Sequence, residues 1–200
     1  MEVLFLNGLT NGKTRRREQL AFGYLARRGI NVTHHGVDWF SGDSFETLRH
    51  DATEAARELL QQKGRLAIVG SSAGGSMAMD VFSELQDENV RVISLCGRLH
   101  PGDYDPASKL SLESAAHLGT PQASQSFYDS VTYCDQIAIP AVKDENLHKI
   151  TVIKQLTDLV VPRETMDIAG VKPIVVPGFG HGMGIALATM KLAEILTRHE

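Results

Sequence analysis

A serine flanked by glycines is the first group in this sequence that is suited to covalent chemistry. Residues 70–74 have the pattern G-x-S-x-G, with Ser72 at the centre. An apolar run, Leu66–Val69, precedes the motif and a helix-like run, Met77–Leu85, follows it. A strand, a tight turn and a helix would hold the hydroxyl at a strained corner above the sheet edge, and a side chain at either glycine would clash there. We therefore identify Ser72 as a candidate nucleophile, whereas Ser71 lacks the flanking glycines.

A nucleophilic serine needs a base and an acid that orients the base, and in this class of fold they follow in the order Ser, Asp or Glu, His. Asp158 comes just after the strand-like run Ile150–Ile153. His181 lies between two glycines, after the strand-like run Lys172–Val176. We expect these two residues and Ser72 on three loops at one end of a parallel sheet, where open α/β sheets bind ligands.

Each position also has another interpretation. Glycine- and serine-rich turns often simply connect elements or bind phosphate, and a solitary aspartate after a strand is typical of a turn or cap. Asp103 and Asp105 are alternative acids, since they follow the strand-like run Arg91–Leu95. We favour Asp158 for its strand context and its spacing ahead of His181. The other histidines are His34, His35, His50, His100, His117, His148 and His199.

On these residues the chain resembles the α/β-hydrolase superfamily over nearly its whole length. The matching pieces are the motif at 70–74, Asp158, and His181 with its flanking glycines. The segment 7–9, Asn-Gly-Leu, is similar to the oxyanion loop of that family, although many members have histidine in place of Asn7.

The resemblance implies a mechanism. Ser72 would be the nucleophile, His181 the general base and Asp158 its orienting acid. The backbone amides of Leu9 and Ala73 would stabilise the oxyanion. The implied activity is hydrolysis of a small carboxylic ester or thioester through an acyl-enzyme, with a small-molecule acyl substrate and without a cofactor.

The order of elements indicates an α/β fold. Short apolar runs alternate with longer amphipathic stretches, which predicts a three-layer α/β/α sandwich around a mostly parallel six-stranded sheet, without the family's N-terminal hairpin. The predicted strands are Val3–Leu6, Asn31–His35, Leu66–Val69, Arg91–Leu95, Thr151–Lys154 and Lys172–Val176. The predicted helices are Thr14–Arg28, Ser44–Lys63, Gly75–Gln86, Arg163–Ile168 and Met183–Arg198.

One segment interrupts the alternation. Residues 99–149 form a long connection that we interpret as a small lid-like insertion within a single domain of residues 1–200. Its large apolar side chains either line an acyl pocket or pack ordinary surface helices, and for most of them we favour packing. They are Tyr104, Leu110, Leu112, Phe127, Tyr128 and Tyr133.

Composition narrows the class of protein. With 200 residues, 42% of them apolar, the chain suits one soluble domain. A net charge of −4 is untypical of nucleic-acid binding, and no run is long enough for a signal-peptide core or a membrane span. Two cysteines predict neither a structural disulfide nor a metal site. We expect a cytoplasmic monomer or homodimer.

Two other functions remain open. Gly8–Thr14 follows a strand and is similar to a phosphate loop, although it has one residue too few between its glycines, and Asp38 would imitate its magnesium-binding acid. Such a protein would bind nucleotides. The third possibility is a member of the same fold that binds a ligand without catalysis.

Overall fold

Six strands form the central layer of the protein. The structure, a computed structural model, describes residues 2–102 and 124–197. The strands are β1 (Glu2–Leu6), β2 (Asn31–His35), β3 (Leu66–Ser71), β4 (Val90–Leu95), β5 (Ile150–Thr157) and β6 (Ile174–Phe179). Their order is β2-β1-β3-β4-β5-β6, and every neighbouring pair is parallel. The predicted six-stranded sheet is therefore confirmed.

Helices cover both faces of this sheet. They are α1 (Arg16–Ala26), α2 (Phe45–Lys63), α3 (Gly74–Leu85), α4 (Gln125–Tyr133) and α5 (His181–Thr197). Helix α4 runs on through a π-helical stretch, Cys134–Ala138, and a short turn, Ile139–Ala141. Two 3-10 turns lie at Asp144–Lys149 and Arg163–Met166. None of the described helices is long and apolar enough to cross a bilayer.

Alternate strand residues face two separate hydrophobic clusters. Leu4 and Ile68 pack with α2, α3 and the π-helical stretch on one face. Val3 and Val69 pack with α1 and α5 on the other face. Because helices bury both faces, the central strands β1 and β3 are buried along their whole length and are mostly apolar, as is typical of parallel sheets. The predicted three-layer sandwich is thus confirmed.

The predicted helix Arg163–Ile168 is wrong. Residues Arg163–Met166 form only a 3-10 turn. The Thr165 carbonyl accepts hydrogen bonds from the amides of Leu99 and His100, at 2.8 and 3.1 Å. This turn is therefore tied to the segment after β4 instead of continuing as a helix.

Part of the predicted insertion packs on the core. The Phe127 ring meets the Trp39 ring edge-on with centroids 5.7 Å apart, and the Tyr133 ring lies 5.3 Å from Phe45. Packing is therefore the role of these two aromatic residues. Tyr128 lies beside Phe127 with centroids 5.7 Å apart. Tyr104, Leu110 and Leu112 lie outside the described residues.

Candidate active site

A sharp turn joins β3 to α3 at Ser72. Its φ of +53° is in the left-handed region, which side chains disfavour. The backbone crowds on both sides of it: a Cβ on Gly70 would lie 2.0 Å from the Gly74 carbonyl oxygen, and one on Gly74 would lie 2.4 Å from the Leu6 carbonyl oxygen. Both glycines of the motif are thus required by close backbone approach, as the sequence predicts.

Three side chains from separate loops form a line of hydrogen bonds. His181 Nε2 lies 2.8 Å from Ser72 Oγ, and His181 Nδ1 lies 2.8 Å from Asp158 Oδ2. Ser72 follows β3, Asp158 follows β5, and His181 is the first residue of α5, separated from β6 by one residue. Since a carboxylate only accepts, Nδ1 carries a proton and leaves Nε2 free to accept from the serine hydroxyl. The structure therefore brings the three predicted residues together.

Asp158 is held by its own loop as well as by the histidine. Its side chain is completely buried, and Oδ1 accepts hydrogen bonds from the amides of Val160 (2.8 Å) and Val161 (3.0 Å). Burial acts to raise its pKa, but the hydrogen bond and charge of His181, together with these two amides, hold the pKa of Asp158 below its ordinary value. Asp158 is therefore both a turn residue and the hydrogen-bond partner of a histidine.

The neighbouring Cys96 does not compete as a nucleophile. Burial, followed by the charge of Asp158, raises the pKa of its thiol to about 12, against a hydrogen bond with the Gln155 backbone. The group therefore stays protonated and inert. Cys96 and Cys134 are both free and buried.

Two backbone amides near Ser72 are available to a ligand. Gly8 packs against the serine, since a Cβ there would lie 3.1 Å from Ser72 Cβ. Leu9 follows directly in the loop, and Ala73 precedes the first residue of α3. Within residues 2–102 and 124–197, neither the Leu9 nor the Ala73 amide donates to a protein acceptor. Both are thus free to donate to a developing oxyanion, the role that the resemblance implies for them.

The segment Gly8–Thr14 does not have the form of a phosphate loop. The buried Asn7 side chain fastens it, with Nδ2 at 2.6 Å from Thr10 Oγ1 and at 2.9 Å from the Val37 carbonyl. The Gly12 amide is already used, because it donates to Thr10 Oγ1 at 3.2 Å. Helix α1 begins only at Arg16. These contacts do not support the nucleotide-binding alternative.

Asp38 also has a local role. Its Oδ1 accepts from the Phe40 amide at 3.0 Å, and its backbone bridges that of Asn11. This geometry is typical of a turn, not of a magnesium ligand. The described residues contain no cluster of three or more His, Cys, Asp or Glu side chains that could hold a metal ion.

Several of the competing histidines have hydrogen-bond partners of their own. His100 contacts Asp135 Oδ1 through Nδ1 (2.5 Å) and the Asp167 carbonyl through Nε2 (2.6 Å). His148 bonds to the Glu145 carbonyl. His34 and His35 lie on β2, and His50 lies on α2. His117, His199, Asp103 and Asp105 lie outside the described residues.

A match to a known family decides the classification. A family model of the alpha/beta hydrolase fold matches residues 40–176, more than half of the chain. The chain belongs to the α/β-hydrolase fold family. The resemblance to the α/β-hydrolase superfamily that the sequence motifs indicate is therefore confirmed. The matched span contains Ser72 and Asp158.

Solved structures share this α/β-hydrolase fold. A monoacylglycerol lipase of Paleococcus ferrophilus superposes with a TM-score of 0.65 at 13% identity, covering 100% of this chain and 95% of the lipase. An esterase of Pyrobaculum calidifontis gives 0.67 at 17%, covering 96% and 74%. A meta-cleavage product hydrolase of Pseudomonas fluorescens gives 0.64 at 17%, covering 100% and 91%. No curated protein sequence matches the chain.

Behind the turn of this α/β-hydrolase lie polar side chains that the G-x-S-x-G motif does not indicate. Asp80 is completely buried in α3, next to Ser76 on the same helix and Ser130 on α4. The sequence does carry one signal for these buried polar residues. An acidic residue stands in an otherwise apolar helical stretch, Met77–Phe82.

Proposed function

We propose that this protein is a serine hydrolase that cleaves a small carboxylic ester or thioester through an acyl-enzyme on Ser72. The observation that carries the proposal is the line of hydrogen bonds from Ser72 through His181 to Asp158. Membership of the α/β-hydrolase fold family supports it, as do the esterase and lipase among the similar structures.

In the acylation step, Ser72 Oγ attacks the carbonyl carbon while its proton passes to His181 Nε2. The negatively charged Asp158 keeps the imidazole in the tautomer that accepts this proton and stabilises the imidazolium that results. The amides of Leu9 and Ala73 donate to the oxyanion, and one such donor typically contributes a factor of about a hundred to a thousand in rate. When the tetrahedral intermediate collapses, His181 returns the proton to the departing alkoxide or thiolate.

Deacylation repeats these steps with water. His181 Nε2 takes a proton from the water that attacks the acyl carbon, then delivers it to Ser72 Oγ as the carboxylic acid leaves. The two steps together consume one ester or thioester and one water, and they return Ser72 and His181 to their starting protonation states.

Exposed apolar side chains close in sequence to Asp158 and His181 favour a substrate with an apolar acyl or alkyl group. Leu159 and Val160, directly after Asp158, are 64% and 41% exposed, and Met183, two residues after His181, is 57% exposed. Large apolar side chains exposed in the segments that carry Asp158 and His181 support binding of an apolar substrate.

The test is an assay with p-nitrophenyl acetate, p-nitrophenyl butyrate and a short acyl thioester. Ser72→Ala and His181→Ala should each lower kcat by about 10⁴-fold or more, because the removed groups act as a unit. His148→Ala is the matched control, since that ring bonds to a carbonyl of its own turn, and the variant should keep the full rate. Turnover in Ser72→Ala at the wild-type rate would contradict the proposal.

A further inference from the structure

A chain of three hydrogen bonds leads from the buried Asp80 to the turn that bears Ser72. Ser130 Oγ lies 2.8 Å from Asp80 Oδ2 and 2.9 Å from Ser76 Oγ. Ser76 Oγ in turn donates to the Ala73 carbonyl at 3.0 Å. Asp80, Ser76 and Ser130 are each 0% exposed. The chain therefore links α4 to the first turn of α3, directly behind the candidate nucleophile.

The number of available protons decides which group donates in each of these three hydrogen bonds. The Ala73 carbonyl only accepts, so the Ser76 hydroxyl donates to it and must accept from Ser130. Each hydroxyl has a single proton, so the Ser130 proton is then used. The remaining contact, between Ser130 Oγ and Asp80 Oδ2, requires a proton on Asp80. With an ionised Asp80 three contacts would share two protons, and one contact would be lost.

The surroundings of Asp80 agree with a neutral carboxyl group. Its other oxygen, Oδ1, has no hydrogen-bond partner among the described residues. A buried carboxylate with an unpaired charged oxygen would be costly, whereas a neutral carboxyl is much less so. Burial raises the pKa of Asp80 well above its usual range, and this effect outweighs the lowering that a hydrogen bond donated by Ser130 to an ionised Asp80, and the charge of Arg49, would give.

The titratable and charged groups around Asp80 come from two elements. Arg49 faces it from α2, but Nη1 of Arg49 bonds to Glu84, and its buried Nε has no hydrogen-bond partner among the described residues. The Cys134 thiol, the first residue of the π-helical stretch after α4, is buried, and burial raises its pKa well above the ordinary value, as does the charge of Asp135. Asp135 itself pairs with His100. No cation is therefore bonded directly to Asp80 in the part of the chain that the structure describes.

We propose that Asp80 is a positioning residue that carries a proton in the folded protein and, through Ser130 and Ser76, fixes the Ala73 carbonyl. The same residue, Ala73, supplies one of the proposed oxyanion amides, so a shift of its backbone would move that donor. The catalytic consequence rests on the proposed function, whereas the protonation of Asp80 does not. A displacement of about 1 Å in such a site costs up to about a hundredfold in rate.

The first experiment measures stability against pH for the wild type and Asp80→Asn. The asparagine amide is a permanent donor to Ser130 and does not titrate. Because the folded pKa of Asp80 is raised, its contribution to stability is complete below the ordinary pKa of about 4 and is lost as pH rises toward the folded pKa. We expect the unfolding midpoint of Asp80→Asn to gain on the wild type as pH rises from acid to neutral. A midpoint difference that is independent of pH, or one that shifts in favour of the wild type as pH rises, would overturn the proposal.

The second experiment measures ester turnover in four variants. Asp80→Ala and Ser76→Ala should each lose about tenfold in kcat at unchanged KM, and Asp80→Asn should restore the rate to within about twofold of the wild type. Ser83→Ala is the matched control, because Ser83 is also buried on α3 but donates to the Asp80 backbone carbonyl, outside the chain. An equal loss in Ser83→Ala, or no recovery in Asp80→Asn, would contradict a positioning role. If Ser72→Ala keeps the wild-type rate, the proposed function fails, and the stability comparison still decides whether Asp80 is protonated.

Discussion

Ser72 has a backbone conformation that its own side chain disfavours. A non-glycine residue at a φ of +53° costs on the order of 1–3 kcal/mol, which the surrounding structure must offset. Its amide donates to the Leu95 carbonyl at 3.0 Å, and its carbonyl accepts from the Gly75 amide at 2.9 Å. The fold thus holds the residue from both sides and directs Oγ toward His181.

This strain can be measured by comparing Ser72→Gly with Ser72→Ala. Both variants lose the hydroxyl, but only glycine accepts the left-handed conformation without cost. We expect Ser72→Gly to be the more stable by about 1 kcal/mol in denaturant unfolding, and both to be inactive. Equal stability, or greater stability of Ser72→Ala, would show that the turn is not strained.

The carboxylate of Asp158 selects the tautomer of His181. In Asp158→Asn the amide group can donate to Nδ1, which favours the tautomer with its proton on Nε2, where it cannot accept from Ser72. In serine proteases with this arrangement the same change lowers kcat about 10⁴-fold, and we expect a loss of that order. The exposed Asp129, which bonds to Gln125, provides the control Asp129→Asn, and an equal loss there would sink the assignment.

At the scale of elements, the junction of β3 and α3 depends on glycine. In Gly70→Ala the new methyl group would overlap the Gly74 carbonyl oxygen, so we expect a loss of about 3 kcal/mol or more in unfolding free energy. Gly23→Ala in α1 is the control, since a Cβ there meets nothing within 4 Å. That variant should gain about 0.5–1 kcal/mol, because alanine favours the helix. If Gly70→Ala lost less than about 1 kcal/mol of unfolding free energy, the close approach of residue 70 to the Gly74 carbonyl would be contradicted.

The strands and the meeting of Ser72, Asp158 and His181 could be predicted because each depends on local pattern. Apolar runs mark buried strands, and parallel strands bring the loops after β3, β5 and β6 to one edge. The failure at Arg163–Ile168 has a tertiary cause, because the Thr165 carbonyl accepts hydrogen bonds from Leu99 and His100, which lie far earlier in the chain. The contact of Ser130 with Asp80 spans fifty positions and leaves no local pattern either.

At the scale of the whole molecule, the site makes the stability of the fold depend on pH in the acid range. The pKa of Asp158 is lowered in the folded protein, so its contribution is present above its ordinary pKa and is lost as pH falls through the folded value. The wild type should therefore be more stable than Asp158→Asn at neutral pH, and the two should converge in acid. Unfolding midpoints across this range check the prediction, and a constant or growing difference in acid would refute it.

The same titration separates the two buried aspartates. Stability from Asp158 falls as pH is lowered, whereas stability from Asp80 falls as pH is raised, because the pKa values of the two groups shift in opposite directions. One lies at the end of β5, hydrogen-bonded to a histidine and two amides, and the other lies inside α3 with a single hydroxyl. The protein thus holds two carboxyl groups whose environments assign them different charge states, one ionised and one neutral.

The most direct test of the proposed function is reaction with a fluorophosphonate, followed by mass spectrometry and peptide mapping. This reagent forms a covalent adduct with a serine that a neighbouring base activates. We predict one adduct, on Ser72, that is lost in His181→Ala and kept in His148→Ala. No adduct on the wild-type protein, or an adduct on a different serine, would contradict the account.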